Sequence, residues 1–99
     1  MQDMATITET HNIANTFFKK SVDHLVNLYM RWQCEKEYED FNDYCAAFSS
    51  HLDRYCEKAG VELRFIKGTK RPFGFKFRCN DTDYHVTVNS REARIRNCK

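Results

Sequence analysis

The sequence predicts an α+β fold, in which two N-terminal helices pack on one face of a C-terminal four-stranded antiparallel meander, in the order ααββββ. The first 59 residues contain neither Gly nor Pro, and their apolar residues recur at helical spacing. Beyond Gly60, apolar and polar residues alternate in four short runs. We therefore expect one domain over residues 1–99, with 1–5 frayed, 6–60 helical and 61–97 forming the sheet.

The first helix is predicted from Thr6 to about Tyr38. Thr6 and Glu9 have the spacing of a capping box, in which the Thr caps the helix and the Glu occupies its third position. Apolar side chains cover about 220° of its circumference. A face this wide predicts either a central helix, held by both the second helix and the sheet, or a homodimer formed through helix 1.

The second helix is predicted between Asp40, a candidate N-cap, and Gly60, a candidate C-terminal cap. Its apolar residues form a narrow stripe at i, i+3, i+4 and i+7 spacing. The stripe consists of Phe41, Tyr44, Cys45, Phe48, Leu52, Tyr55, Cys56 and Ala59.

The four strands are predicted from period-two alternation. Their apolar positions are Val61, Leu63 and Phe65, then Phe73, Phe75, Phe77 and Cys79, then Tyr84, Val86 and Val88, and finally Ala93 and Ile95. A turn at Asp81-Thr82 would place Cys79 opposite Tyr84, Phe77 opposite Val86 and Arg78 opposite His85. A second turn over residues 89–92 would place Val86 opposite Ile95.

Charge is distributed unevenly along the chain. Residues 1–60 carry six Lys and Arg against ten Asp and Glu, a net charge of −4, whereas residues 61–99 carry ten against four, a net of +6. This asymmetry predicts that one side of the molecule meets an acidic partner.

The basic residues of the second half share one face of the predicted sheet. Those with outward parity are Arg64, Lys76, Arg78, His85, Arg94 and Arg96, and those in the adjoining loop are Lys67, Lys70 and Arg71. Exposed strands also carry such residues for solubility alone. The crowding of like charges nevertheless favours a binding surface for phosphates or for a carboxylate-rich protein.

The aromatic residues limit how nucleic acid could bind. Phe73, Phe75 and Phe77 share parity with the apolar residues of the other strands, so we expect them in the core rather than stacked against bases. The sequence therefore predicts contact with the nucleic-acid backbone, little dependence on base sequence and strong dependence on salt.

Residues able to bind a metal or perform catalysis are present without the spacing that either needs. Cys79 and His85 are predicted to face opposite sides of the sheet, so they make a poor metal pair. The candidate pairs His51 with Cys56 and His24 with Asp23 lack a third, orienting group. We expect no metal, no cofactor and no enzymatic activity, and hydrogen-bonded structural roles for His24 and His51.

The cysteine pattern and hydropathy indicate the compartment. Five cysteines, an odd number without close pairs, are typical of reduced thiols. No apolar segment is long enough for a transmembrane helix or a secretory signal. We expect a cytoplasmic location, in the host cytoplasm if a phage encodes the protein, and no membrane partner.

A second function class remains open on the sequence alone. A small, aromatic-rich chain without catalytic motifs also fits a protein-binding inhibitor or regulator of a larger host complex, of the type that phages and mobile elements encode. Tyr, Trp and Arg are frequent interface anchors. The candidate anchors are Tyr29, Arg31, Trp32, Tyr38 and, in the basic loop, Arg71.

Overall fold

The computed structural model describes residues 4–34 and 41–98, which form two helices followed by four strands. Their bounds are α1 Met4–Cys34, α2 Phe41–Ala59, β1 Leu63–Lys70, β2 Phe73–Cys79, β3 Thr82–Val88 and β4 Ala93–Cys98. The strands form one sheet in the order β1-β2-β3-β4, and every neighbouring pair is antiparallel. The predicted ααββββ order and the meander are confirmed.

The core lies between the helices and the apolar face of the sheet. Phe48 of α2 stacks on Phe75 of β2, with ring centroids 4.3 Å apart, and Phe17 of α1 meets Phe77 edge-on at 5.3 Å. All four rings are almost completely buried. The phenylalanines of β2 therefore belong to the core, as their parity predicts, because burying large apolar surface is the main force that holds a small domain together.

Helix α1 packs against α2 and against strands β2, β3 and β4. Its fully buried stripe recurs at spacings of three and four residues and consists of Thr10, Ala14, Phe17, Ser21, Leu25 and Leu28. The interpretation of α1 as a central helix held by both a helix and the sheet is confirmed. The predicted cap at Thr6 is wrong, because the helix already begins at Met4.

Helix α2 follows its prediction closely. It begins at Phe41, directly after the predicted cap Asp40, which lies outside the described residues. At its other end Gly60 has a positive φ of 66°, and its N–H donates to the Cys56 carbonyl at 2.8 Å. Gly60 is therefore the left-handed C-terminal residue that the sequence indicates, since glycine adopts this conformation without a Cβ clash.

Strand β1 is longer than the alternation predicts. The regular pattern ends at Phe65, and a β-bulge at Ile66 shifts the register by one residue, so that Lys67 pairs with Lys76. The strand continues to Lys70, with Gly68 against α2. Lys67 and Lys70 are therefore strand residues rather than loop residues, and only Arg71 of the predicted basic loop lies in the turn.

The register of the β2–β3 hairpin differs from the prediction by two residues. Cys79 pairs with Thr82, so the connection is Asn80-Asp81 rather than Asp81-Thr82. Asn80 adopts a positive φ of 55°, which asparagine tolerates better than most residues and which suits a two-residue hairpin turn at this position. A shift of two preserves parity, so each side chain keeps its predicted face. In the next hairpin Val86 pairs with Ile95, as predicted.

Neither described helix has a stretch long and apolar enough to cross a lipid bilayer.

Candidate functional site

The face of the sheet that carries no helix, called here the open face, holds its side chains in three rows across the four strands. The rows follow directly from the register, since residues paired across strands lie side by side. The first row is Arg64, Arg78, Asp83 and Cys98, and the third is Thr69, Gly74, Thr87 and Arg94. The central row is Lys67, Lys76, His85 and Arg96.

The arginines of the two outer rows have carboxylate partners within the chain. Arg78 donates to Asp83 at 2.6 Å, and this hydrogen bond holds the pKa of the Asp83 carboxyl below its ordinary value. Arg64 pairs with Glu62 at 2.9 Å, and Arg94 contacts Glu92 at the same distance. Each of these three outward-facing arginines therefore has a carboxylate of the same chain as its ion-pair partner.

The central row is different, because its cations have no such partner. No carboxylate among residues 4–34 and 41–98 forms an ion pair with Lys67, Lys76 or Arg96. These three positive charges occupy β1, β2 and β4, while His85 fills the position on β3. The central row therefore carries three cations that form no ion pair within the described chain.

His85 is buried, with 7% of its surface exposed, although it points to the open face. Its ring lies across Gly74, whose missing side chain leaves the space: a Cβ there would come within 3.2 Å of His85 Nε2. The same nitrogen lies 3.4 Å from Thr69 Oγ1, and the Thr69 hydroxyl donates to the Pro72 carbonyl. Burial lowers the pKa of His85, and Lys76, Arg96 and Lys67 lower it further. The imidazole is therefore held neutral among fixed cations.

Two residues of the predicted basic surface lie away from the open face. Lys70 pairs with Phe73 and extends toward the helices, where its Nζ sits 5.6 Å from the centre of the Phe41 ring. Lys70, predicted in the loop beside the basic face, therefore belongs to β1 and lies on the helix side, because residues after the bulge at Ile66 face the opposite way from what their number would give in a regular strand. Arg71 is exposed in the β1–β2 turn, beside a cis peptide bond to Pro72.

Three of the candidate protein-interface anchors, Tyr29, Trp32 and Arg71, lie close together. Trp32 stacks on Phe73 at 5.0 Å and Tyr29 meets the same ring at 5.6 Å, so both are half-buried parts of the core edge. Together with Arg71 and Pro72 they line a groove of about 390 Å³. Arg31 is exposed elsewhere on α1, and Tyr38 lies outside the described residues.

The candidate pair of His51 and Cys56 is not assembled as base and nucleophile. His51 forms a hydrogen bond with Ser21 at 3.0 Å, while the Cys56 thiol donates to the Leu63 carbonyl at 3.6 Å. Burial raises the pKa of Cys56, the opposite of what an activated thiol requires. Ser21 is completely buried, so its hydroxyl cannot reach a substrate.

His24 stacks on His51, with ring centroids 4.2 Å apart. The predicted hydrogen-bonded role is confirmed for His51, whereas Nε2 of His24 is buried without a hydrogen-bond partner among the described residues. The sequence gives no sign of this pairing, because the two histidines belong to different helices. Within the described segments, no group of three or more His, Cys, Asp and Glu side chains is arranged to hold a metal ion.

Comparison of the chain with protein-family models, with curated proteins and with solved structures gives no match.

Proposed function

We propose that this protein is a non-enzymatic binding protein whose central row docks on a polyanion, with the nucleic-acid backbone as the favoured ligand class. The observation that supports it most is the contrast between the rows. Arg64, Arg78 and Arg94 are paired with carboxylates, whereas Lys67, Lys76 and Arg96 form no ion pair within residues 4–34 and 41–98. Uncompensated like charges held side by side repel one another, and an anionic ligand relieves that repulsion.

The dimensions of the central row suit a chain of phosphates. Neighbouring strands lie about 4.8 Å apart, so four positions span roughly 14 Å across the sheet. A phosphodiester backbone that crosses the strands meets a cation on β1, β2 and β4. Contacts of this kind position a nucleic acid without reading its bases.

The placement of the aromatic rings supports contact with phosphates rather than bases. Phe73, Phe75 and Phe77 are buried beneath the helices, and no described residue of the open face is aromatic apart from the imidazole of His85. Stacking platforms of the type used by many single-strand-binding proteins are therefore absent from the described part of this face. We expect weak sequence preference and affinity that falls steeply with salt.

The test is a fluorescence-anisotropy titration with duplex and single-stranded oligonucleotides at low salt. The variant Lys76→Gln with Arg96→Gln removes two unpaired cations and should weaken binding by about tenfold or more, since each charged contact contributes on the order of 1.5–3 kcal/mol. The matched control is Lys19→Gln with Arg91→Gln, which removes one Lys and one Arg at exposed positions outside the central row. The proposal fails if neither oligonucleotide binds, or if both double variants bind as the unchanged protein does.

The second candidate is an inhibitor or regulator that binds a larger host complex. The groove lined by Tyr29, Trp32, Arg71 and Pro72 favours it, because it joins aromatic surface to an exposed arginine at the edge of the core. A pull-down with and without nuclease separates the two classes. A protein partner that survives nuclease treatment and is lost with Arg71→Ala supports this candidate, whereas a partner lost on nuclease treatment supports the first.

A homodimer through α1 is compatible with either function. The fully buried stripe of α1 is occupied by α2 and the sheet, and Met30 is the large apolar side chain that α1 leaves exposed in the described region. Light scattering decides the question: a dimer mass supports self-association, and a monomer mass at high concentration excludes it.

A further inference from the structure

A cavity of about 490 Å³ opens between α1 and α2, in the helix layer and away from the open face of the sheet. Six side chains form most of its wall. The three that carry a positive charge are Lys20, Arg54 and Lys58, and the three that have a polar ring are His24, His51 and Tyr55. None of the described lining residues is a carboxylate, so the charged side chains of this wall are all basic, although the N-terminal half of the chain has a net negative charge.

The three cations of this wall are uncompensated. No ion pair joins Lys20, Arg54 or Lys58 to any carboxylate within residues 4–34 and 41–98. Lys20 places its Nζ 6.0 Å from the centre of the Tyr55 ring, which is a weak contact for an ammonium group. Clefts lined by one sign of charge concentrate ions of the opposite sign.

The two imidazoles are set in a fixed arrangement at the floor of the cavity. His24 and His51 stack with an interplanar angle of 27°, and the hydrogen bond to Ser21 fixes the ring of His51. Nε2 of His24 is buried but unpartnered in the described chain. A buried polar atom without a partner costs on the order of 1–3 kcal/mol, so the position of Nε2 calls for a specific explanation, and a nearby bound ion is one such explanation.

We propose that this α1–α2 cavity is a binding site for a doubly charged anion of the phosphate-monoester class. Lys20, Arg54 and Lys58 supply the positive charge, and the stacked imidazoles of His24 and His51 add to it when they are protonated. The volume is within the range of small-molecule sites, about 300–1,000 Å³, so it has room for a group esterified to the phosphate.

Binding at this site is coupled to protonation of the two histidines. Burial, followed by the charges of His51, Arg54 and Arg31, lowers the pKa of His24 to about 4. Burial also lowers the pKa of His51, followed by the charge of Arg54. The charged groups around the pair are Lys20 and Arg31 from α1 and Arg54 and Lys58 from α2. A bound dianion offsets this repulsion and favours the imidazolium, so affinity for it rises as the pH falls.

The experiment follows the imidazole proton resonances of His24 and His51 by NMR during titration with sodium sulfate or glycerol 3-phosphate. Sodium chloride at equal ionic strength is the reference. Sulfate is the probe for pH dependence, because it remains a dianion from about pH 8 down to about pH 4, and the histidines gain their charge in the lower part of this range, below about pH 6.5. We expect saturable shifts with both dianions, and tighter sulfate binding at the lower pH. Shifts that merely follow ionic strength, or sulfate binding that weakens as the pH falls, contradict the proposal.

Variants connect the shifts to the cavity. Lys20→Gln with Arg54→Gln should weaken sulfate binding by about tenfold or more, since both charges face the anion. The single variant Lys58→Gln should weaken it less and serves if the double variant does not fold. Lys19→Gln with Arg91→Gln, and the central-row variant Lys76→Gln with Arg96→Gln, should leave sulfate binding unchanged. The proposal is overturned if the cavity variants bind sulfate as tightly as these controls do. The central-row variant tests oligonucleotide binding separately, so failure of one proposal can be told from failure of the other.

Discussion

Lys76 and His85 lie directly opposite each other on β2 and β3, at the centre of the open face. This pairing places a buried imidazole beside an ammonium group that forms no ion pair within the described chain, and the charge of Lys76 helps to keep the pKa of His85 low. The protonation of His85 therefore depends on the charge balance of the central row, so His85 acts as an internal reporter for anything that binds there.

The difference between paired and unpaired cations predicts a difference in salt dependence. For a phosphate-binding protein, removing one cation that contacts phosphate lowers the slope of log affinity against log salt concentration by about 1. We expect that change for Lys76→Gln. Arg78→Gln should change the slope less, because Asp83 already compensates Arg78 at 2.6 Å. Oligonucleotide titrations at several salt concentrations measure both slopes, and equal changes would show that the internal ion pair does not matter.

The close approach of β2 and β3 at Gly74 predicts that a side chain there destabilises the sheet. A Cβ at this position would lie 2.3 Å from the Val86 carbonyl oxygen and 3.2 Å from His85 Nε2. The backbone atom cannot rotate away, so Gly74→Ala should cost about 1–3 kcal/mol of unfolding free energy. Urea denaturation measures the loss. Thr87→Ala, which alters the strand position opposite Gly74 without adding bulk, is the comparison, and an equal loss in both would contradict this explanation.

The stacked pair of His24 and His51 predicts acid sensitivity. Because the pKa of His24 is lowered to about 4 in the folded state, the unfolded chain binds more protons than the folded chain between that value and about pH 6.5. The contribution of neutral His24 to the stability of the fold is therefore complete above about pH 6.5 and declines as the pH falls toward about 4. After allowance for its partial exposure, the loss should be about 1–2 kcal/mol. Chemical denaturation of the protein and of His24→Gln across this range should show a shallower pH dependence in the variant, and parallel curves would refute the assignment to His24.

The aromatic core predicts where stability is concentrated. Phe48 is completely buried and contacts Phe75, Phe17 and Phe65. Phe48→Ala should therefore lower the unfolding free energy by about 3–5 kcal/mol, a large share of the 5–15 kcal/mol typical of small domains. Ile66 in the bulge is 40% exposed, so Ile66→Ala should cost far less. Thermal unfolding of both variants tests the ranking, and similar losses would be inconsistent with a core centred on Phe48.

The fold could be predicted from the sequence because the helical spacing of the first half and the period-two alternation of the second half match the observed helices and strands over most of the chain. The stripe of α2 and the alternation of β2, β3 and β4 each assign side chains to a buried or exposed face. Alternation constrains only parity, however, and a register shift of two leaves every side chain on its face. Alternation therefore does not fix the position of the turn. The structure places the turn at Asn80-Asp81, where Asn80 has a positive φ.

The candidate sites could be predicted only in part. The basic open face follows from alternation, except where the bulge at Ile66 inverts β1 and carries Lys70 to the helix side. The internal pairing of Arg78 with Asp83 depends on the true register, since the predicted one places His85 opposite Arg78 instead. The cavity between the helices depends on how α1 and α2 pack, which the sequence pattern of either helix alone does not specify.

The most direct test of the account is the pKa of His85, measured by NMR with and without a single-stranded oligonucleotide at low salt. If phosphates occupy the central row, they offset the charges of Lys67, Lys76 and Arg96, and the pKa of His85 should rise from its lowered value. The rise should be much smaller for Lys76→Gln with Arg96→Gln at the same oligonucleotide concentration. An oligonucleotide that binds while the pKa of His85 stays unchanged would contradict the central claim, because the ligand would then lie elsewhere on the molecule.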